Sequence, residues 1–521
     1  MKLAELLQAL PVKEILAAGD LEAEVKAVVY DSRHARKNSL FVAIPGLHTD
    51  GHKYLAGAAK HGAVAVVGSD TEKLDEFVAS AHYENQTVVR VENERVALAQ
   101  LAAALYGYPA RQLGVIGLTG TDGKTTTSFL ICGMLEVANL SNGLIGTVDF
   151  KIGAKRWPHG EHQTTPEAPE IQDLLHQMVK AKVQYAVLES TSHGLALHRV
   201  DNCAYDIVIF TNLTRDHLEF HGTLDNYRQA KGLLFEALSQ ENPKPFINFP
   251  KTAIINQDDL NAPFFVSRTL EAAVVNNQAV RLMTYAVKST ADVTARDISS
   301  TATGLHYTAC TPRGNFELDL KLPGDFNVYN SLAAICVGLT LELDLEVIRQ
   351  GLESVAGVPG RMETIQAGQD FAVIVDFAHT PDALTKVLKV LRPLTKGKLL
   401  AVFGAAGERD TSKRPLMGEA AAMFSDFAIF TNEDPRQENA AQILDEIAVG
   451  AMQLDWHEGE HFLKMVDRQV AIETAFARAE AGDTVLLAGK GHEQSIIIGT
   501  QATPWDEREQ ARQALEKILN Q

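Results

Sequence analysis

The residues with the plainest chemistry lie in "GLTGTDGKTTT", Gly117 to Thr127. The apolar run "LGVIGL" leads into it and the apolar run "SFLICGMLEVA" leaves it. A glycine-rich turn between a strand and a helix aims backbone N–H groups and a helix N-terminus at phosphate. Gly120, Thr121, Asp122 and Gly123 would form that turn, and Lys124 would reach the terminal phosphates. Thr125 or Thr126 would offer a hydroxyl to Mg²⁺. The spacing is unusual, because the first glycine of the common phosphate loop is replaced by Leu118. Two further clusters lie downstream. "LESTSHG" puts Glu189 after one apolar run, and "TNLTRDHLEFHG" puts Asp216 and His217 after another. A carboxylate and an imidazole at adjacent strand ends can complete a Mg²⁺ site opposite a triphosphate. Taken singly, Glu189 reads as a surface charge, His217 as a capping or core histidine, and Lys231 in "NYRQAKGLLF" as a solvated lysine on an amphipathic helix.

These side chains need a scaffold that brings strand ends together. Eight short runs supply one: "LGVIGL", "VQYAVLE", "YDIVIFTN", "TAIINQDD", "FAVIVDFAH", "LLAVFGAAG", "FAIFTNEDP" and "TVLLAGKGH". They are nearly continuous in apolar residues, as parallel strands covered by helices on both faces must be. Nearly all end in polar, glycine-rich or charged residues, and open α/β sheets bind ligands at the carboxyl ends of their strands. Gly/Pro breaks at "ALYGYPARQ" and "SVAGVPGRME" divide the chain into three expected domains, 1–108, 109–358 and 359–521.

Size and composition agree. A chain of 521 residues is long enough for several domains, each with its own core. The formal net charge of −18 argues against non-specific binding to nucleic acid or to an acidic membrane surface. Cys132, Cys203, Cys310 and Cys336 have neither disulfide-framework nor zinc spacing, and are expected to be buried thiols. "MKLAELLQALPVKEILAAGD" reads as a short amphipathic helix interrupted at Pro11, without the apolar core of a signal peptide. No apolar run approaches the ~20 residues of a membrane span. A cytoplasmic monomer is expected.

In their order along the chain, "DSRHARKNSLFVAIPG", "TGTDGKTTT", "TTPEAPE", "LESTSHGLALHR", "TNLTRDHLEFHGTLDNYRQAK", "LPGDFNVYNSLAA", "GVPGRME", "VDFAHTPDAL", "GERDTSKRP" and "AGKGHE" resemble the motifs of the Mur ligases, and within them the MurE type, the UDP-N-acetylmuramoyl-tripeptide synthetases. The resemblance covers nearly the whole chain. It implies a three-domain α/β architecture, with an N-terminal domain for the uridine nucleotide, a central P-loop ATPase-like parallel-sheet domain, and a Rossmann-like C-terminal domain for the incoming amino acid. It also implies an ATP-dependent ligase of peptidoglycan synthesis. This would add a diamino acid to UDP-N-acetylmuramoyl-L-alanyl-D-glutamate through an acyl phosphate, with Mg²⁺.

Residue roles carry over with it. Lys231 corresponds to a lysine held as a carbamate, which with Thr125, Glu189 and His217 would bind Mg²⁺. Ser32 resembles the uridine-nucleotide contact. Thr164, Thr165, Thr191 and Arg199 would hold the muramoyl-dipeptide part. Asn256, Asn327, Arg361, Asp376 and His379 resemble the groups around adenine, ribose and phosphates. This chain departs from the family at Thr191, usually serine, at Leu197, often glutamine, and at Asp122, more often asparagine. An acid at 122 would sit near phosphate unless it turned away or capped the helix.

The same resemblance assigns Arg409, Glu433, Asp434, Pro435, Arg436, Gly489 and Glu493 to the incoming amino acid. Diaminopimelate ligases typically read Asp-Asn-Pro-Arg where this chain reads Glu433-Asp434-Pro435-Arg436. Diaminopimelate carries a distal carboxylate that lysine lacks, and arginine offers a bidentate fork for it. Glu493 suits the distal ammonium. An added carboxylate at Asp434 could pair with Arg436 and blunt it. Meso-diaminopimelate is therefore the expected substrate, with L-lysine as the alternative and a folylpolyglutamate synthase-like ligase as a more distant one. A non-catalytic nucleotide-binding protein would not need the Mg²⁺ ligands, and a P-loop kinase or GTPase would not explain the second strand series after Gly360.

Overall fold

The structure is a computed structural model that describes all residues except 47–48, 160–163, 241–243, 302–303 and 520–521. Three main sheets succeed one another along the chain, each with apolar cores. The first has five strands in the order Glu14–Ala17, Thr87–Arg90, Ala63–Gly68, Ser39–Val42 and Ala27–Val29. Only its Glu14–Ala17 edge is antiparallel. That edge differs from the expectation of a helix on both sides of Pro11. The helical turns end at Ala9, and the chain beyond the proline is extended. Proline has no N–H to continue a helix, and pairing with Thr87–Arg90 captures residues 14–17 as a strand.

The central sheet has eleven strands. Its middle runs Val280–Ala286, Lys251–Asn256, Ile207–Phe210, Gly114–Thr119, Tyr185–Glu189 and Asn142–Ile145, all parallel. All but the Val280–Ala286 strand are apolar and almost wholly buried, with helices and cores on both faces, as their sequences require. Strand Gly114–Thr119 lies between Tyr185–Glu189 and Ile207–Phe210. The phosphate loop is thus flanked by the two strands that lead to Glu189 and to His217.

The third sheet has six strands, five of them parallel, in the order Glu363–Ile365, Ala372–Asp376, Thr484–Ala488, Leu399–Phe403, Phe427–Thr431 and Phe462–Met465. All eight apolar runs singled out in the sequence form strands in these two sheets. Cys132, Cys203 and Cys336 are buried, whereas Cys310 is only half-buried, on a strand near the edge of the central sheet. Among the described residues no helix is long and apolar enough to cross a membrane.

Candidate active site

The phosphate loop turns between strand Gly114–Thr119 and helix Lys124–Val137. Gly123 has φ +87°, and a Cβ there would collide with the Asn330 side chain. The loop is tied to the neighbouring strand end, where Asn212 Oδ1 accepts from Asp122 N at 2.9 Å and Asn212 O accepts from Thr121 N at 2.9 Å. Lys124 Nζ folds back on the loop, donating to Gly120 O at 2.8 Å and Thr121 O at 2.9 Å. Lys231 Nζ donates to the same Gly120 carbonyl at 2.7 Å and lies 4.3 Å from the centre of the Tyr227 ring. Burial pushes both lysines below their ordinary range, and Lys124 pushes Lys231 further. Two amines on one carbonyl, one of them buried and the other half-buried, form a centre short of negative charge.

Lys231 is therefore not a solvated lysine; it is 1% exposed. Nor does it meet Glu189 or His217: its one hydrogen bond among the described residues is to the loop. Glu189 is buried against the other side of the loop. Its Oε2 accepts from Thr125 Oγ1 at 3.0 Å and Thr147 Oγ1 at 2.6 Å, and its Oε1 accepts from Ser128 Oγ at 3.2 Å. His217 adopts φ +54° just before the short helix Leu218–His221, and its side chain makes no cap. Its ring faces Asp216 at 3.2 Å and Glu219 at 3.7 Å. Of the four expected Mg²⁺ ligands, the structure joins Thr125 to Glu189 and gives His217 and Lys231 other partners. Among the described residues no cluster of three His, Cys, Asp or Glu side chains has metal-binding geometry.

The loop opens into one cavity of about 1100 Å³, lined from Thr121 to Thr126 by the loop and its helix. Asn256, Asn327, Arg361, Asp376 and His379 also line it. Asn256 bonds Thr211 O at 2.7 Å, and Asn327 bonds Pro323 O at 2.8 Å. Arg361 stacks 4.6 Å from the Phe377 ring centre and reaches Thr125 Oγ1 at 3.5 Å. Asp376 accepts from Met362 N and Ala378 N, at 2.7 and 2.8 Å. Burial raises its carboxyl, against the pull of Arg361. Burial, helped by Lys413, drops His379 to about 4, so this imidazole is neutral at pH 7.

Asp122 neither turns from the cavity nor caps the helix. Its carboxylate meets Lys386 Nζ, from helix Pro381–Leu391 under the third sheet, at 3.3 Å. Sequence reasoning does not single out Lys386; it sits a turn into the helix after "VDFAHTPDAL", and nothing local marks it.

The expected muramoyl-dipeptide contacts form a chain of hydroxyls. Thr147 and Thr164 hydroxyls lie 3.1 Å apart, and Thr165 and Thr191 hydroxyls 3.0 Å apart. Thr164 and Thr191 line the cavity. Thr191 also caps the helix Ser192–Ala196 through Gly194 N, so its hydroxyl has a structural task. Arg199 does not line the cavity; it is buried against Thr165 O at 3.1 Å and Glu167 at 2.8 Å. Ser32 lies on a turn of the first sheet, outside the cavity, with its carbonyl accepting from His61.

At the far end, Arg409, Glu433, Asp434, Arg436 and Glu493 line the same cavity. Pro435 and Gly489 stand behind it: Pro435 O crowds Gly407, and Gly489, at φ +101°, lets the Glu433 carboxylate approach. Lys490 is fully buried and bridges Asp434 Oδ1 at 2.9 Å and Glu493 Oε2 at 2.5 Å. Asp434 also accepts from Ile497 N at 3.0 Å. Asp434 is thus held by a lysine, not by Arg436. Arg436 has no ion-pair partner among the described residues, and its Nε is buried without a hydrogen bond. Burial and the nearby Arg436 lower Arg409, which faces Glu219 at 3.8 Å. Lys413 and Lys490 escape sequence reasoning as individuals, although "GERDTSKRP" and "AGKGHE" contain them.

A phosphate loop sharing one cavity with a second strand-end cluster of arginines and carboxylates is the layout of an enzyme that brings a phosphorylated ligand to a second charged one. Comparison with known proteins agrees. Models of the Mur ligase family catalytic domain, the Mur ligase middle domain and the Mur ligase glutamate ligase domain match residues 24–106, 118–338 and 360–491. The UDP-N-acetylmuramyl-tripeptide synthetase of Roseiflexus sp. (strain RS-1) is 49% identical over 95% of each chain. The UDP-N-acetylmuramoyl-L-alanyl-D-glutamate--2,6-diaminopimelate ligase of Geobacillus thermodenitrificans is 40% identical over 99% of this chain and 100% of its own. A solved structure of a ligase with that second name superposes over 100% of both chains, with a TM-score of 0.65 and 30% identity. The chain belongs to the Mur ligase family and is an ATP-dependent, ADP-forming amide ligase of peptidoglycan synthesis.

Proposed function

We propose that this ligase adds meso-2,6-diaminopimelate to UDP-N-acetylmuramoyl-L-alanyl-D-glutamate. The observation that carries the choice of amino acid is the free guanidinium of Arg436 at the cavity wall, beside an Asp434 already held by Lys490. A bidentate donor that no carboxylate occupies among the described residues suits a substrate carboxylate, which diaminopimelate has at its far end and lysine lacks. The names of the relatives in Geobacillus and of the solved structure support the same reading.

The three sheets support a division of labour. Residues 1–108, with Ser32, would take the uridine nucleotide, 109–358 ATP, and 359–521 the amino acid. A carboxylate is a poor acyl donor, so its oxygen first attacks the γ-phosphorus of ATP and ADP leaves. The amine then attacks the acyl-phosphate carbonyl and phosphate leaves. Both steps crowd negative charge beside the loop, where Lys124 and the loop N–H groups stabilise it. Thr164, Thr165, Thr191 and Arg199 would position the muramoyl-dipeptide. Asn256, Asn327, Arg361, Asp376 and His379 would surround the adenosine and phosphates.

The site also fits Mg²⁺. This ion takes one or two carboxylates plus hydroxyl, phosphate and water oxygens rather than an all-protein cage, and Thr125 with Glu189 offers that set. When bound, Mg²⁺ would neutralise phosphate charge. Lys231 is buried, short of a counter-charge and lowered toward the neutral amine, the form that reacts with CO₂ to give a carbamate. As a carbamate it would supply the missing negative charge beside the loop. The enzyme would act in the cytoplasm.

The test is turnover of the purified chain with ATP, the UDP-muramoyl-dipeptide, and meso-diaminopimelate or L-lysine, read as phosphate release and product mass. Diaminopimelate product is expected; product with lysine alone would overturn the assignment.

A further inference from the structure

Glu433 stands at the end of strand Phe427–Thr431, lines the cavity and is 6% exposed. Its Oε2 is buried and accepts no hydrogen bond among the described residues. The cations nearest in charge are committed elsewhere: Lys413 donates to His379 O at 2.9 Å, and Lys490 to Asp434 and Glu493. The groups acting on it are Lys413 on helix Lys413–Phe424, Lys490 and Glu493 beyond strand Thr484–Ala488, and the adjacent Asp434. A carboxylate left without donors in a dry wall takes up a proton readily. Burial raises Glu433 to about 7, against the pull of Lys413 and Lys490.

The reaction needs such a group. An amino acid enters with its nitrogen as an ammonium, which has no lone pair for the acyl phosphate. Resting on the ligase reading above, we propose that Glu433 is the proton acceptor for the incoming amine, and not only a contact that holds it. One proton passes from the ammonium to the Glu433 carboxylate. The freed lone pair attacks the carbonyl carbon, the C–O bond to phosphate breaks, and the second nitrogen proton leaves with phosphate. The Glu433 carboxylic acid returns its proton to water as the product departs. Arg436 and Arg409 serve the amino acid's carboxylates, and Glu433 is a cavity-lining carboxylate whose Oε2 no protein donor holds among the described residues, so its charge is uncommitted when the nitrogen arrives.

The test compares wild type, Glu433→Gln and Glu433→Asp with ATP, the UDP-muramoyl-dipeptide and meso-diaminopimelate. Glu433→Gln keeps the shape and loses the base. Its kcat is expected to fall about 100-fold or more, with KM for diaminopimelate changed by less than about fivefold. The wild-type kcat is expected to fall on the acid side of about 7. That of Glu433→Gln should climb instead with the amine's own ionisation, and Glu433→Asp should restore part of the rate. Hydroxylamine, an amine already unprotonated at neutral pH, should trap the acyl phosphate as hydroxamate equally fast in wild type and Glu433→Gln. A Glu433→Gln enzyme within about threefold of the wild-type kcat overturns the proposal. So does parallel loss of hydroxamate and amide, which would place Glu433 in activation or folding. Failure of wild type to form hydroxamate or release phosphate at all would instead remove the ligase reading beneath it.

Discussion

Asp122 in the phosphate loop and Lys386 in helix Pro381–Leu391 form an ion pair 3.3 Å long between the second and third sheets' layers. The pair explains how an acid is tolerated in a phosphate-loop sequence. Lys386 offsets its charge and, in doing so, ties the loop to the helix packed on the third sheet. Lys386 also meets Asp382 at 2.5 Å, so it remains partnered if Asp122 is removed.

This geometry calls for a double-mutant cycle. Lys386→Ala leaves Asp122 uncompensated and should raise KM for ATP severalfold, about 3- to 10-fold. Asp122→Asn alone should change it little. The double variant should return close to the Asp122→Asn value. Steady-state KM for ATP at two salt concentrations checks this, because a charge effect of this partly exposed pair weakens with salt.

Arg436→Ala should raise KM for meso-diaminopimelate by roughly 10- to 100-fold, the worth of a lost charge-assisted hydrogen bond. KM for ATP should stay the same. Arg436→Lys should recover only part, because an ammonium lacks the planar fork. Initial rates against diaminopimelate concentration measure both.

Lys490→Met removes the buried cation that Asp434 and Glu493 share. Breaking a buried pair on one side costs about 3–5 kcal/mol, and denaturant unfolding should show a loss of that order. Asp434→Asn, which leaves Lys490 its Glu493 partner, should cost less.

The stability of Glu433→Gln relative to wild type should depend on pH. The folded Glu433 holds its proton up to about 7 against an ordinary 4.5, so its native-state advantage is complete below 4.5 and is lost as pH rises through 7. Wild type should therefore lose ground to Glu433→Gln between pH 4.5 and 7, by up to about 3 kcal/mol, and no further above. Unfolding of the two proteins at pH 4.5, 6 and 8 measures the difference.

Much of the fold is legible without coordinates. The parallel strands can be read because a strand buried on both faces must be apolar throughout, and the short apolar runs of "LGVIGL" and "TVLLAGKGH", each closed by glycine or polar residues, are too short for a typical helix. The loop can be read because glycine, lysine and threonine at that spacing have one common use. The strand after Pro11 cannot, because a four-residue strand has no periodicity of its own and exists by pairing with Thr87–Arg90.

By itself the sequence determined the three α/β layers, the phosphate loop, and the family whose motifs it carries, because these depend on local pattern and on order along the chain. Only the tertiary structure decided which charges meet. Asp434 stands two residues from Arg436 yet pairs with Lys490, 56 residues on. Asp122 pairs with Lys386, 264 residues on. Lys231, one of several lysines on polar-looking segments, is the one buried against Gly120. Ion pairs and burial are set by distance in space, and a strand-end fold brings together residues that no spacing rule connects.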